Sequence, residues 1–232
     1  MDPMNNLLVG AALFVGSHFA LSHPLRAPLA NRIGERGFQI VYSVVAIATF
    51  ILMVRAFQAM PAEMPMWDVG DALWAVSTLL VLVASILFVG SLIGNPALAA
   101  PGAAKAAAAP ARGVFAITRH PMMWGFALWA VAHAMVVPTS AQIILSGAII
   151  LLAIGGSLGQ DSKKAKLMGA AWQDWRSRTA FVPFSGQFSG RLSWAAAMPR
   201  PHALFGGIAV WLIASWAHGA LGYMSAGLWR WF

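Results

Sequence analysis

The sequence contains no cysteine and few charged residues. The missing cysteines exclude disulfide bonds, thiolate metal sites, iron–sulfur clusters and cysteine nucleophiles. Only 9% of the 232 residues are charged, whereas about 25% is usual for a soluble domain. Hydrophobic residues make up 59% of the chain, which is typical of an integral membrane protein. Any metal chemistry in this chain therefore has to depend on its six histidines.

Apolar runs long enough to form a transmembrane helix occur at six places in the chain. They cover residues 5–22, 38–58, 71–94, 122–138, 141–158 and 203–223. Because an unpaired backbone amide is costly in lipid, each run is expected to be helical. The sequence therefore predicts an all-α fold, a polytopic membrane helical bundle of about six transmembrane helices that forms a single domain over residues 1–232.

The basic residues are distributed unevenly among the loops. Thirteen of the 15 lysines and arginines follow the first, third or fifth span, and only Arg55 and Arg230 lie elsewhere. Since cytoplasmic loops carry the excess of positive charge, we expect these loops inside and both termini outside. The protein should then be a multi-pass protein of the bacterial inner membrane with periplasmic termini. The charge follows the loops and forms no separate basic domain, so we expect the lipid bilayer and no nucleic acid as a partner.

Two loop segments have a distinctive composition. Residues 95–113 are rich in alanine, proline and glycine, which predicts a mobile cytoplasmic linker. Residues 161–184 place Trp172 and Trp175 on one helical stripe among lysines and arginines. That pattern is typical of an interfacial helix at the cytoplasmic membrane surface. Such a helix serves either as an anchor or as a lid over a site.

The histidines within the predicted spans fall at two depths. His18 lies near the cytoplasmic end of the first span, and His120, beside Arg119, lies at the cytoplasmic start of the fourth. His133 is 13 residues further along the fourth span, or about 20 Å at the rise of an α-helix. It therefore lies near the outer face, as does His218 in the last span. We predict an outer-layer hydrogen bond for His133, with a group on the last span such as His218.

Two histidines on different helices at one depth favour haem over zinc. Structural zinc requires four ligands and catalytic zinc three, whereas haem requires one or two axial ligands in an apolar pocket. We therefore predict His18 and His120 as the metal ligands. Arg119 is placed to meet the haem propionates or another carboxylate at the cytoplasmic interface, and Trp124 supplies part of the aromatic wall.

Two stretches of the sequence resemble the NnrU family. The first is "FVGSHFALSHPLRAPLANRIGERGFQIVYSVVAIATF" (14–50), with its histidine, Pro-Leu-Arg, Gly-Glu-Arg-Gly-Phe and Tyr-Ser. The second is "ITRHPMMWGFALWAVAHAM" (117–135), with its Arg-His-Pro, Trp-Gly and Ala-His. NnrU proteins are similar to the plant 15-cis-zeta-carotene isomerases, and this resemblance implies a haem b protein whose first ligand falls on His18. The second ligand position falls in "AIGGSLGQD" (153–161), whose glycines and serine cannot bind iron. Either His120, another histidine or a five-coordinate iron would have to replace it.

The sequence leaves three classes of function open, and the first follows from the NnrU resemblance. The first is a haem-dependent isomerase-like activity, or a redox- or gas-responsive protein linked to nitrite and nitric oxide metabolism in denitrification. Its expected ligand is a hydrophobic small molecule or a diatomic gas. The second class follows from the Arg-His-Pro and the later "WQDWRSRTAFVPF", which are similar to isoprenylcysteine carboxyl methyltransferases and imply S-adenosylmethionine held by Arg119 and His120. Those enzymes use a carboxylate, and the nearest acids here are Asp161 and Asp174. The third class is a non-enzymatic sensor or an assembly factor for a respiratory complex.

Overall fold

The computed structural model describes residues 2–98 and 102–232 of the chain. These residues form ten α-helices and contain no strand. The helices are α1 (Pro3–Ser22), α2 (Arg26–Gln58), α3 (Asp71–Gly90), α4 (Ala103–Ala108), α5 (Val114–Ile117), α6 (Pro121–Val136), α7 (Ser140–Met168), α8 (Ala170–Ser177), α9 (Ser185–Phe188) and α10 (Pro201–Ala220). The predicted all-α membrane bundle is confirmed.

Six apolar helices correspond to the six predicted spans. Five of them, α1, α2, α3, α7 and α10, are long and apolar enough to cross a membrane. Helix α6 has 16 residues, about 24 Å, which is less than the roughly 30 Å of a hydrocarbon core. Pro121 occupies its first turn, where a missing amide is tolerated, and Pro138 lies just beyond its end. The chain is a multi-pass membrane protein whose fourth apolar helix is short.

Helix α3 is the centre of one half of the bundle, because both α6 and α10 pack antiparallel to it. Towards α6, the Ser77 hydroxyl near the start of α3 donates to the Ala132 carbonyl near the end of α6 at 3.1 Å. Towards α10, a Cβ atom on Gly207 would come within 2.6 Å of the Ile86 Cα atom. The glycine therefore allows the two backbones to approach closely, as small residues do at helix contacts in membranes.

The other half of the bundle is the α1–α2 hairpin, which contacts the rest of the protein mainly through α7. The Phe19 ring lies against Gly155, and the His23 ring lies against Gly159. The later residue of α1 contacts the later residue of α7, so the two helices run parallel. The glycines on α7 leave room for the two aromatic rings of α1.

The segment 95–113 is a docked element in the part that the structure describes, and the prediction of a mobile linker is wrong there. Ala107 of α4 is fully buried against Trp172 and Trp175 of α8. The Arg178 side chain donates to the carbonyl oxygens of Ala107 and Ala109, at 2.8 and 3.1 Å. Residues 99–101 of this segment lie outside the described residues.

The segment 161–184 also differs from its prediction. Residues 161–168 extend α7, and the separate helix α8 covers only Ala170–Ser177. A helix outside the spans is therefore present, but its two tryptophans are buried. They face the alanine-rich α4 because small side chains there leave space for indole rings. The tryptophan stripe packs within the protein, whereas the sequence predicted an interfacial helix on the membrane surface with its basic face towards the lipid headgroups.

Candidate functional site

An ion-paired cluster links the start of α6 to α7 and is named here the inner cluster: Arg119, His120 and Asp161. The Arg119 Nε atom donates to both Asp161 carboxylate oxygens, at 3.0 and 2.9 Å, and its Nη2 atom donates to the same carboxylate. The His120 Nε2 atom lies 2.9 Å from Asp161 Oδ1. Since a carboxylate only accepts, Nε2 carries the proton in this contact.

The loop after α8 holds the inner cluster in place. The Arg119 amide donates to the Ala180 carbonyl at 2.8 Å, and the Thr118 hydroxyl donates to the Phe181 carbonyl at 2.6 Å. The Phe181 ring lies against both partners of Asp161, 5.1 Å from the Arg119 Cζ atom and 5.6 Å from the His120 ring centre. The Arg119 and Asp161 side chains are each 10% exposed. A buried charge requires a partner of this kind, so the cluster ties α6 to α7.

The surroundings of His120 do not fit a haem iron. Its Nε2 atom, the usual iron ligand, is occupied by Asp161. Its Nδ1 atom is buried and has no hydrogen-bond partner among the described residues. The space beside the ring is about 10 Å³, which holds about one water molecule and no macrocycle.

His18 lies apart from the inner cluster. Its Nδ1 atom is 2.7 Å from the Phe14 carbonyl of its own helix, and its ring packs edge-on to Tyr42 of α2. Helix α7 separates it from His120, because Gly159 faces α1 whereas Asp161 lies about 200° further round the helix. Two ligands of one iron must lie on the same side of such a barrier. The structure does not bring His18 and His120 together, and a ligand role for either residue stays a prediction.

Trp124 accompanies the inner cluster. Its indole lies one turn into α6 and contacts the Phe181 ring at 6.3 Å between ring centres. Three of the four predicted cofactor residues, Arg119, His120 and Trp124, are therefore grouped around Phe181, and His18 is not.

A larger cavity lies towards the end of the bundle at which α2, α6 and α10 finish, which the sequence predicts to be the outer side, and we name it the outer cavity. Its volume is about 660 Å³, and α3, α6 and α10 form most of its wall. The last residues of α2, the first two turns of α7 and the chain after α10 complete the wall. Most of the lining side chains are apolar, including Phe88, Phe126, Trp129 and Trp211.

His133 of α6 and His218 of α10 both line the outer cavity. Their ring centres are 6.2 Å apart, with 32° between the ring planes. The predicted interhelical hydrogen bond of His133 is replaced by a bond within its own helix, from Nδ1 to the Trp129 carbonyl at 2.7 Å. His218 forms the equivalent bond to the Ala214 carbonyl at 2.8 Å. Their shared depth is as predicted, but each histidine is oriented by its own backbone.

The chain after α10 covers one side of the outer cavity. Residues 223, 224, 226 and 227 line it directly. The Trp229 indole donates to the Leu212 carbonyl at 3.1 Å, and the Arg230 guanidinium binds Asp71 at 3.3 Å. Arg230 also lies 4.5 Å from the ring centre of Trp74, a cavity residue. These contacts hold a cation at the outer rim.

Comparison with known proteins establishes the family of the chain. The sequence pattern of the family described as NnrU protein matches residues 6–226. The chain belongs to the NnrU family. The 15-cis-zeta-carotene isomerases of Arabidopsis thaliana and Zea mays are 32% and 30% identical to it over 79 residues. That stretch is 34% of this chain and 22% of each plant protein, so less than a quarter of the plant relatives is matched. No solved structure matches this NnrU protein.

Sequence reasoning missed two features of this NnrU protein. Asp161 entered only, together with Asp174, as one of the nearest acids for the methyltransferase hypothesis. Its position just after the fifth predicted span, at about the same depth as Arg119 at the start of the fourth, was a signal that the two residues pair. The outer cavity has no signal in a single sequence, because it depends on how far α6 and α10 stand apart on α3.

Proposed function

We propose that this NnrU protein binds haem b within the membrane and catalyses an isomerase-type reaction on an elongated apolar molecule. The outer cavity is the observation that carries the proposal. Its volume of about 660 Å³ lies within the range of roughly 300–1,000 Å³ found for small-molecule sites. Its wall combines aromatic and aliphatic side chains with few polar groups, as such sites do.

The polar side chains in the wall suit a hydrocarbon ligand. The Ser77 hydroxyl is bonded to the Ala132 carbonyl, and the Ser215 hydroxyl is bonded to the Trp211 carbonyl at 2.7 Å. A hydroxyl that is already bonded needs nothing from the ligand, so burial of an apolar molecule leaves these two hydroxyls paired. The wall thus binds by shape and apolar contact.

The similarity to proteins named as isomerases of a carotene supports the reaction class. When bound, haem supplies a redox-active iron, and the protein supplies position and a dry, apolar surrounding. The rings of Phe126 and Trp129 lie along one wall of the outer cavity and restrict the shape of a flexible ligand. Location in a bacterial inner membrane, periplasmic termini, a diatomic gas ligand and a link to nitrite and nitric oxide metabolism stay predictions.

The inner cluster argues against the methyltransferase alternative. That hypothesis requires Arg119 to hold the carboxylate of S-adenosylmethionine. Its guanidinium is instead paired with Asp161 through several hydrogen bonds and is almost fully buried. A cofactor carboxylate would have to displace an internal one at the cost of a buried ion pair.

The test uses the purified full-length protein in lipid nanodiscs. Bound haem is measured by the pyridine haemochromogen assay, and 15-cis-zeta-carotene is supplied as the probe with its isomers separated by chromatography. We expect bound haem and loss of the 15-cis isomer. The variant Val81→Trp, which fills the outer cavity, should abolish that loss.

Leu79→Trp is the matched control, because Leu79 is on the same helix, is 62% exposed and lies outside the cavity wall. It should behave like the unaltered protein. Absence of haem would remove the cofactor part of the proposal. Equal turnover by both tryptophan variants would show that the outer cavity is not the substrate site.

A further inference from the structure

Exposed aromatic and apolar side chains form a cluster around α9 and the loop that leads to α10. We name it the aromatic patch: Phe184, Phe188, Trp194 and Met198. The side chains of Phe188, Trp194 and Met198 belong to residues that are 80%, 55% and 70% exposed. The Phe184 ring stacks on Trp194 at 5.9 Å between ring centres, and Phe188 meets the same indole edge-on at 5.4 Å. An exposed apolar patch of this kind marks a surface that contacts another molecule or a membrane.

The aromatic patch lies at the level where two membrane helices begin. The Phe184 amide donates to the Ile117 carbonyl at 3.0 Å, and the Gly113 amide donates to the Ala196 carbonyl at 2.7 Å. Residues 113–117 come just before α6, and α10 begins shortly after the patch. Tryptophan and tyrosine are enriched at this depth in membrane proteins, because their amphipathic rings suit the headgroup region. The patch therefore lies at the membrane–water interface, on the side predicted to be cytoplasmic.

The exposed apolar surface continues around the same end of the bundle. Leu92 and Ile93, just after α3, are 53% and 62% exposed. The end of α3 is at the level of the patch, since a Cβ atom on Gly90 would contact both Val114 of α5 and Ala203 of α10. Lipid surrounds the whole bundle at this level and covers both stretches, whereas a protein partner would cover one side. Lipid is therefore the occupant that fits the surface.

Two exposed arginines, Arg112 and Arg200, lie on neighbouring segments beside the aromatic patch. Arg112 directly precedes Gly113 in the chain, and a Cβ atom on Gly113 would be 3.7 Å from the Arg200 Cγ atom. The bond between Gly113 and Ala196 holds these two segments together. Two positive charges are thus placed at the edge of the patch, where the chain enters α10.

The protein supplies no carboxylate to these two arginines. Residues 175–232 contain neither aspartate nor glutamate. The three carboxylates at this end of the bundle are already paired with other arginines: Glu35 with Arg26, Asp161 with Arg119, and Asp174 with Arg178. In the part of the chain that the structure describes, neither Arg112 nor Arg200 takes part in an ion pair. Their charge has to be balanced from outside the protein.

We propose that the aromatic patch, together with Arg112 and Arg200, binds an anionic phospholipid, whichever molecule occupies the outer cavity. The rings of Phe188 and Trp194 enter the upper acyl-chain region, as aromatic side chains do in interfacial segments. The two guanidinium groups meet the headgroup phosphate, which arginine binds through paired N–H donors. A zwitterionic headgroup carries its own cation beside the phosphate, so an anionic lipid balances the arginines better.

The test measures which lipid contacts the aromatic patch in the full-length protein. Because the chain has no cysteine, Phe188→Cys provides a single thiol for a fluorescent label. The labelled protein is placed in bilayers of phosphatidylcholine and phosphatidylglycerol, one of which carries bromine near the headgroup end of its acyl chains. Bromine quenches a label that it contacts, and the mixing ratio gives the relative binding constant. We expect phosphatidylglycerol to bind about 5- to 25-fold more tightly, since each arginine contributes a factor of about five at an anionic surface.

The double variant Arg112→Gln/Arg200→Gln should lose most of this preference. Two control labels calibrate the measurement: Gln173→Cys, on the exposed polar face of α8, should be quenched by neither lipid. Leu79→Cys, 62% exposed on the lipid side of α3, should be quenched by both lipids equally.

Equal binding of the two lipids at position 188 would overturn the proposal, because the arginines would then select no headgroup. Absence of quenching there would overturn it as well, since the patch would face water or another protein. A preference that survives in the double variant would assign the anion to other residues. A preference that disappears when inorganic phosphate is added would show that the arginines bind a soluble anion and not a lipid.

Discussion

Replacing Asp161 by alanine should strongly destabilise the protein. The substitution removes the only acidic partner of Arg119 among the described contacts and leaves a guanidinium whose side chain is 10% exposed. It also removes the acceptor of His120 Nε2, whose side chain is fully buried. Breaking a buried pair by deleting one partner costs about 3–5 kcal/mol. The assay is the free energy of unfolding in mixed micelles, taken from the shift of the denaturation midpoint.

Asp174→Ala supplies the control, because Asp174 pairs with Arg178 at 2.7 Å but is 62% exposed. An exposed pair contributes about 0–1 kcal/mol, so this variant should lose little. The double variant Arg119→Leu/Asp161→Ala should be more stable than Asp161→Ala alone, since it leaves no unpaired charge. Equal, small losses for Asp161→Ala and Asp174→Ala would refute the view that the inner cluster is buried and ties α6 to α7.

Two further predictions concern glycine packing and topology. Gly207→Ala should lower the free energy of unfolding by about 1–3 kcal/mol, because overpacking forces α10 away from α3, and thermal unfolding measures it. Gly147→Ala, with no atom within 4 Å of the added carbon, should instead stabilise the protein by about 0.5–1 kcal/mol; a loss equal to that of Gly207→Ala would contradict the packing argument. Reporter fusions at Lys105 and Phe232 should lie on opposite sides of the membrane, and the same side for both would contradict the six-helix topology.

The sequence predicted how deep a residue lies along its transmembrane helix better than it predicted which neighbouring helix that residue faces. The six apolar helices follow from run length and hydropathy, and the common depth of His133 and His218 follows from counting along two spans. Depth does not define which face of a helix a residue occupies. His18 and His120 were therefore paired by depth alone, although α7 lies between them. Similarly, residues 161–184 were assigned to the membrane surface because a single sequence does not show that α4 covers Trp172 and Trp175.

The α1–α2 hairpin has fewer contacts with the rest of the bundle than α3 has with α6 and α10. This difference affects how a ligand enters the outer cavity. The α1–α2 hairpin contacts the rest of the protein mainly through α7, yet Val54, Phe57 and Gln58 of α2 form part of the outer cavity wall. Small rotations of the hairpin about α7 would change the width of the seam between α2 and the α3 half without disturbing the glycine contacts that hold α3 and α10 together. A lipophilic molecule dissolved in the bilayer would then reach the cavity sideways, through this seam, without first entering water.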